Sequence, residues 1–275
     1  DWKEYIAGVN TSGWDGQITN GALYLNDRSP GTPTTTWDWI SPTVGESAGM
    51  SPNRAERSKQ IFEKYGCPAS VALNTALFGG APDRMDFENV LLSRGYRAVS
   101  YLAPASFHRY PNPTAAAAHI KDGFTPNCTP ANQQNPVAVN PGYEPRLDLV
   151  GTQASNKVFA ADGTRYYDSD GTLDFDISPA AYTFSSFADS GPIYKNSTAY
   201  GKEGPGAPNN LKLTYRHPGE VINVSYFDGH VRSMKQTESW TDASPWYPGK
   251  SLFNGVNATP ESGNFHNTPA KRNIP

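Results

Sequence analysis

Between Tyr215 and Lys235 the chain reads YRHPGEVINVSYFDGHVRSMK, and the placing of apolar and polar residues there predicts strands. The run entering it, Leu211-Lys212-Leu213-Thr214-Tyr215-Arg216, alternates with period two, the pattern of a half-buried strand. His217-Pro218-Gly219-Glu220 interrupts with turn chemistry, proline fixing φ and glycine admitting φ > 0. Val221 to Phe227 is rich in β-branched and aromatic residues and ends at Asp228-Gly229, the dipeptide of tight hairpins. His230 to Lys235 returns as a strand, completing an expected three-strand antiparallel meander.

Upstream, helical periods replace the alternation. Ser51-Pro52 opens a helix predicted over Pro52 to Tyr65, with serine as N-cap, proline in the first turn and Gly66 as a left-handed terminator. Ala55, Ile61, Phe62 and Tyr65 then share an inward face. A shorter helix is predicted from Arg84 to Ser93, before Gly95, and an alanine-rich one from Thr114 to Ile120. Lys157 to Ala161 reads as a buried strand closed by Asp162-Gly163, with Thr164 to Tyr167 as its hairpin partner. The first fifty residues are loop-like except Ile18 to Leu25, as is Asn127 to Asn156, and a Trp- and Pro-rich tail follows Ser239. With no internal repeat or clear linker, the economical architecture is one α+β domain over residues 1–275. It has a few short helices, long loops and a β-rich core at about 155–240.

Composition agrees with that picture and narrows the function classes. The chain has 24 prolines and 25 glycines, which make it loop-rich, and 12% aromatic residues, which supply bulk for a core. A net charge of −3 with scattered Lys and Arg offers no basic block, so nucleic acid is not an expected partner. No stretch reaches the roughly 18–20 apolar residues that span a bilayer. The two cysteines, Cys67 and Cys128, belong to no Cys-x-x-Cys pair, which argues against a zinc knuckle or a thioredoxin-like site. They stand either as one disulfide, if the protein is exported, or as two separately buried thiols.

Three constellations have candidate chemistry, each with a plainer alternative. His217, Asp228 and His230 offer imidazole and carboxylate ligands for zinc or a similar ion; otherwise Asp228 caps a turn and His217 packs beside it. Asp168, Asp170, Asp174 and Asp176 crowd four carboxylates around a turn, a candidate calcium loop, or else a solvated acidic turn. It is not an EF-hand, because Leu173 and Pro179 stand where that motif needs glycine and glutamate. Trp14, Trp37, Trp39, Trp240 and Trp246 sit in loop-like contexts, where indoles either stack on sugars or pin loops to the core. The five histidines (His108, His119, His217, His230, His266) show no triad spacing. No nucleophile elbow, phosphate loop or dinucleotide fingerprint occurs, so no catalytic residues and no enzyme are expected.

The stretch from Arg216 to Val231 resembles the C-terminal signature of prepilin-type proteins: Arg-His-x-Gly, an Asn-Val strand, then Phe-x-Asp-Gly-His-Val. His217, Gly219, Asn223, Asp228, Gly229 and His230 are its marker residues here. Ten residues separate His217 from Asp228, one more than usual in that family. Three further segments are similar to the family in the same order. Arg57 to Phe62 leads to Cys67-Pro68; Gly95 to Tyr101 contains a Ser-Tyr pair; Ser155 to Asp162 is a Lys-Val strand ending in aspartate. Trp246-Tyr247-Pro248 follows the signature.

The resemblance implies a pilin-like globular head and a structural subunit of an extracellular filament or a type II secretion pseudopilus. Its implied partners are copies of itself or other pilin-like subunits, without a required cofactor. Its implied location is periplasmic or at the cell surface. The apolar N-terminal helix that anchors such proteins in the inner membrane is not in this sequence, and Asp1-Trp2-Lys3-Glu4 does not look like a processed pilin end. Two other classes remain open: a secreted carbohydrate-binding protein and a metal-dependent hydrolase.

Overall fold

The computed structural model describes residues 29–35, 38–70, 73–74, 76–92, 95–97, 99–108, 136–164, 174–177 and 187–275, with Ile6 and Pro111. The fold is α+β. Among the described residues the strands in chain order are β1 (Leu73–Asn74), β2 (Ala76–Phe78), β3 (Tyr96–Arg97), β4 (Tyr101–Pro104), β5 (Val137–Ala138) and β6 (Val158–Asp162). They continue with β7 (Asp174–Asp176), β8 (Ala188–Asp189), β9 (Val221–Tyr226), β10 (Val231–Lys235) and β11 (Leu252–Phe253). The central sheet has five strands in the order β10-β9-β6-β4-β8. Its pairings are antiparallel except for β4 with β8, so the sheet is mixed. Strand β9 alternates strictly, with Ile222, Val224 and Tyr226 buried and the residues between them half-buried.

The predicted hairpin is present, with β9 and β10 in register from Val221↔Lys235 to Val231↔Ser225. Its glycines do what the sequence asked of them: Gly219 and Gly229 sit at φ +87° and +91°. A Cβ at either would meet no atom within 4 Å, so only the backbone conformation opposes a side chain there. Gly229→Ala should therefore lower stability by about 1–2 kcal/mol. The check is a shift in urea midpoint at unchanged slope, and an unmoved midpoint would refute it.

The first strand of the expected meander is a helix instead. Four helices matter for the site: α1 (Ile40–Val44), α2 (Arg54–Lys64), α3 (Arg84–Phe87) and α4 (Asn209–Thr214), the last covering the supposed Leu211 strand. The reason lies in which side chains are inside. Asn210 and Thr214, four apart on one helical face, are fully buried, while Leu211 and Leu213 are half-buried. The Asn210 amide donates to the Pro205 carbonyl. The Thr214 hydroxyl donates to Ala199 O and accepts from Thr164 N–H. Polar residues with all their partners inside the protein imitate a solvent face in the sequence.

Helix α2 starts later than predicted: Asn53 is the N-cap, accepting from Glu56 N–H at 3.0 Å. Ala55, Ile61 and Phe62 are buried and Tyr65 packs against them half-buried. Gly66 follows without a positive φ. Its glycine is required because a Cβ would lie 2.4 Å from Phe62 O. Helix α3 passes into a π-helical turn, Glu88–Leu92, within the predicted range, and Gly95 at φ +67° ends it. Phe175 of β7 is fully buried against Phe62, Phe87, Tyr96 and Phe187, tying α2 and α3 to the sheet. Strand β6 is buried as expected, with β4 and β9 as its neighbours; of its supposed hairpin partner, residues 165–167 lie outside the described residues. The buried core continues past Ser239 through Trp240, Trp246, Tyr247, Phe253 and Ile274. The segments Ile18–Leu25 and Thr114–Ile120 lie outside the described residues.

Candidate functional site

Strand β6 ends at Asp162, and its last pair with β9 is Ala161↔Val224. Beyond that pair the Asn223 N–H has no β6 carbonyl to meet. Asp162 Oδ2 accepts it at 2.6 Å, so a carboxylate extends the ladder by one bond. The other carboxylate oxygen, Oδ1, accepts from Arg216 Nη2, whose guanidinium also donates to Ser100 O and Leu213 O. Asp162 and Arg216 are 1% and 5% exposed, an ion pair held almost wholly out of water. Gly163 N–H donates to the same Ser100 carbonyl at 3.0 Å.

His217 completes the arrangement from the turn after α4. Its Nε2 is 3.0 Å from Asp162 Oδ2, 3.1 Å from Asn223 Nδ2 and 3.8 Å from Cys67 Sγ. Cys67 is a buried free thiol in the loop after α2. Its N–H donates to Ser100 Oγ at 3.0 Å, which fixes its position. Asn223 in turn accepts from Ser233 Oγ of β10 at 3.0 Å. Tyr101 stands opposite Asp162 in the β4–β6 register. Burial chiefly, then the nearby Cys67 and Asp162, push that phenol up from its ordinary value.

The geometry decides between chemistries. A cysteine nucleophile activated by a histidine needs the thiol on one ring nitrogen and the carboxylate on the other. Here both meet Nε2, so the three side chains do not form a relay. What they form is a convergent set of lone-pair atoms, Sγ, Oδ2 and Nε2, all within 4.8 Å of one another. Only this trio among the described residues gathers three such ligands.

The sequence-derived candidates are redistributed by the fold. His217 lies with Cys67 and Asp162, not with Asp228 and His230, which sit at the far end of the hairpin. There His230 Nδ1 contacts Asp228 Oδ1 at 2.6 Å, and the imidazole stacks on Tyr226 with centroids 4.3 Å apart. The hydrogen bond from His230 holds the exposed Asp228 carboxyl below its usual range. The joint metal set His217–Asp228–His230 is thereby corrected: the length of strand β9 separates His217 from the other two. Asp168 and Asp170 of the calcium candidate lie outside the described residues, while the backbone of Asp174 and Asp176 forms β7 beside β2. Cys128 also lies outside them, and Cys67, its candidate disulfide partner, is a free thiol.

Of the two tryptophan readings, the described indoles follow the plainer one, pinning loops to the core. Trp240 and Trp246 are buried, and Trp240 Nε1 donates to Tyr200 O at 2.9 Å. Trp39 is half-buried, edge-on to Phe159. These indoles pin loops to the core; Trp14 and Trp37 lie outside the described residues. His266 is structural, accepting from Ala243 N–H and stacking on Phe253. A cavity of about 610 Å³ lies between α2, the π-helical turn and β3. Glu56, Lys59, Glu63 and Arg97 line it, and none of the cluster residues does.

Sequence reasoning did not assemble Cys67, Asp162 and Arg216 around His217, because nothing in linear spacing links them. A signal was nonetheless there: each belongs to one of the segments that resemble the prepilin-type family. No family model matches the chain, and no curated protein or solved structure is similar to it.

Proposed function

We propose that this chain is the globular head of a pilin-like structural subunit, exported to the outer side of the inner membrane. It assembles with copies of itself or related subunits into a filament or a secretion pseudopilus. One observation carries the reading. Cys67-Pro68, Ser100-Tyr101, Asp162 and Arg216-His217 come from four distant segments that resemble one family, and they meet in a single bonded cluster. Segments chosen for likeness at unrelated positions have no reason to converge unless they mark one shared head architecture. The signature residues also do structural work: Gly219 and Gly229 make turns, and Asn223 joins the sheet ladder to the cluster.

The hairpin also supplies a surface suited to assembly. Among the described residues strand β10 is an edge of the central sheet, and Val231 on it is 63% exposed. An uncovered edge strand invites pairing with another chain. Trp240 and Trp246 are buried in the core, which favours the structural reading over a sugar-binding one. Electron microscopy of the full-length protein in its producing cells, with gold-labelled antibody to this head, is expected to decorate ordered filaments or pseudopili. Dispersed monomers that bind on a glycan array would overturn the reading in favour of a secreted carbohydrate-binding protein.

A further inference from the structure

We infer that Cys67 Sγ, Asp162 Oδ2 and His217 Nε2 form a binding site for one divalent transition ion, zinc in the first instance. The starting point is a conflict at Nε2. A ring nitrogen has one in-plane position for a proton or a lone pair, yet three atoms crowd it: Oδ2 at 3.0 Å, Asn223 Nδ2 at 3.1 Å and Sγ at 3.8 Å. One proton there satisfies one partner. A cation among sulfur, oxygen and nitrogen satisfies three lone pairs together.

The spacing fits such an ion. Tetrahedral zinc, with bonds of about 2.3 Å to sulfur and about 2.0 Å to nitrogen or oxygen, sets those atoms about 3.3–3.6 Å apart. Two of the observed separations, 3.0 Å for Nε2 to Oδ2 and 3.8 Å for Nε2 to Sγ, bracket that range, and the third lies within 4.8 Å. The donor types select the metal: thiolate with imidazole suits zinc and its neighbours, and disfavours calcium and magnesium, which take oxygen ligands.

The surroundings hold the ligands as a metal site requires. Arg216 occupies Oδ1 and Asn223 N–H takes one lone pair of Oδ2, which leaves the other directed at Nε2. Ligating carboxylates are commonly braced by such outer partners. Cys67 is braced by Ser100 through its N–H. On binding, the thiol releases its proton to solvent and sulfur donates as thiolate. The charges of Cys67 and Asp162 then balance the ion, with Arg216 beside them. His217 is 21% exposed, the open side through which the ion enters and where water completes the coordination.

The test uses the full chain, stripped with a chelator and titrated with zinc chloride by calorimetry. One zinc per chain is expected. Cys67→Ser and His217→Ala should each weaken binding by more than the roughly tenfold to hundredfold that loss of an outer partner costs. Asp228→Asn and His230→Ala should leave it unchanged. Cobalt(II) added to the wild-type chain should give a thiolate-to-cobalt absorption band that persists in Cys128→Ser. That spectrum decides the matter even if the Cys67 and His217 variants fail to fold. Absence of the band, no zinc uptake by the wild-type chain, or undiminished uptake by folded Cys67→Ser would each overturn the site.

Discussion

Asp162→Ala is expected to destabilise the fold by about 3–5 kcal/mol, the range for removing one partner of a buried ion pair. The magnitude follows from what is left behind rather than from the attraction lost. Without the carboxylate, the Arg216 guanidinium stays at 5% exposure with two carbonyls but no counter-charge. The Asn223 N–H, which Oδ2 accepts at 2.6 Å, loses its acceptor at the end of the β6–β9 ladder. An unpaired donor of that kind adds about 1–3 kcal/mol on its own. Replacing Arg216 by Met in the Asp162→Ala background should recover part of the loss, because the stranded charge goes with it. A urea-denaturation cycle over the wild-type chain, both single variants and the double variant gives the coupling. A loss below about 1 kcal/mol for Asp162→Ala would mean that the pair is not what closes this end of the sheet.

The same residue shows how far the sequence could be read. The β9–β10 hairpin was legible because its determinants are local: β-branched residues on both sides of an Asp-Gly turn, with Gly229 at φ +91°. Helix α2 was legible for the same reason, since Ala55, Ile61 and Phe62 repeat with the helical period. Helix α4 was not. Its buried positions are Asn210 and Thr214, and their suitability for the interior depends on Pro205, Ala199 and Thr164, partners that only the folded chain supplies. The cluster at Asp162 is the extreme case. Its members come from the loop after α2, from the start of β4, from the end of β6 and from the turn after α4. Resemblance to a family marked the segments, but neither spacing nor periodicity could have joined them, because long-range contacts leave no period in a sequence.

Lys157 should make stability rise as pH climbs from about 7 to about 10.4, the ordinary lysine value. Its ammonium is buried under Gly151, where a Cβ would lie 2.4 Å from the lysine Cε. It donates to Ser244 O at 2.7 Å and Tyr247 O at 2.8 Å. Burial brings the amine down to about 7, with the Asp242 carboxylate offsetting part of that shift. The sign follows from proton counting. Below about pH 7 the lysine is charged in both states, and folding bears the full cost of burying the charge. Between the two values the unfolded chain holds a proton that the folded chain does not, so rising pH favours folding. The slope approaches about 1.4 kcal/mol per pH unit, or roughly 5 kcal/mol across the window. Neutral amine keeps two N–H groups, so both carbonyl bonds survive the loss of the proton. Lys157→Met removes the titration and leaves the Ser244 and Tyr247 carbonyls without this donor, at about 1–3 kcal/mol each. Unfolding free energies of the wild-type chain and Lys157→Met at about pH 7 and about pH 9 isolate the effect, because other groups titrating in that interval cancel in the difference. Wild-type stability should gain on the variant as pH rises, and parallel pH dependences would refute the assignment of a neutral lysine to this site.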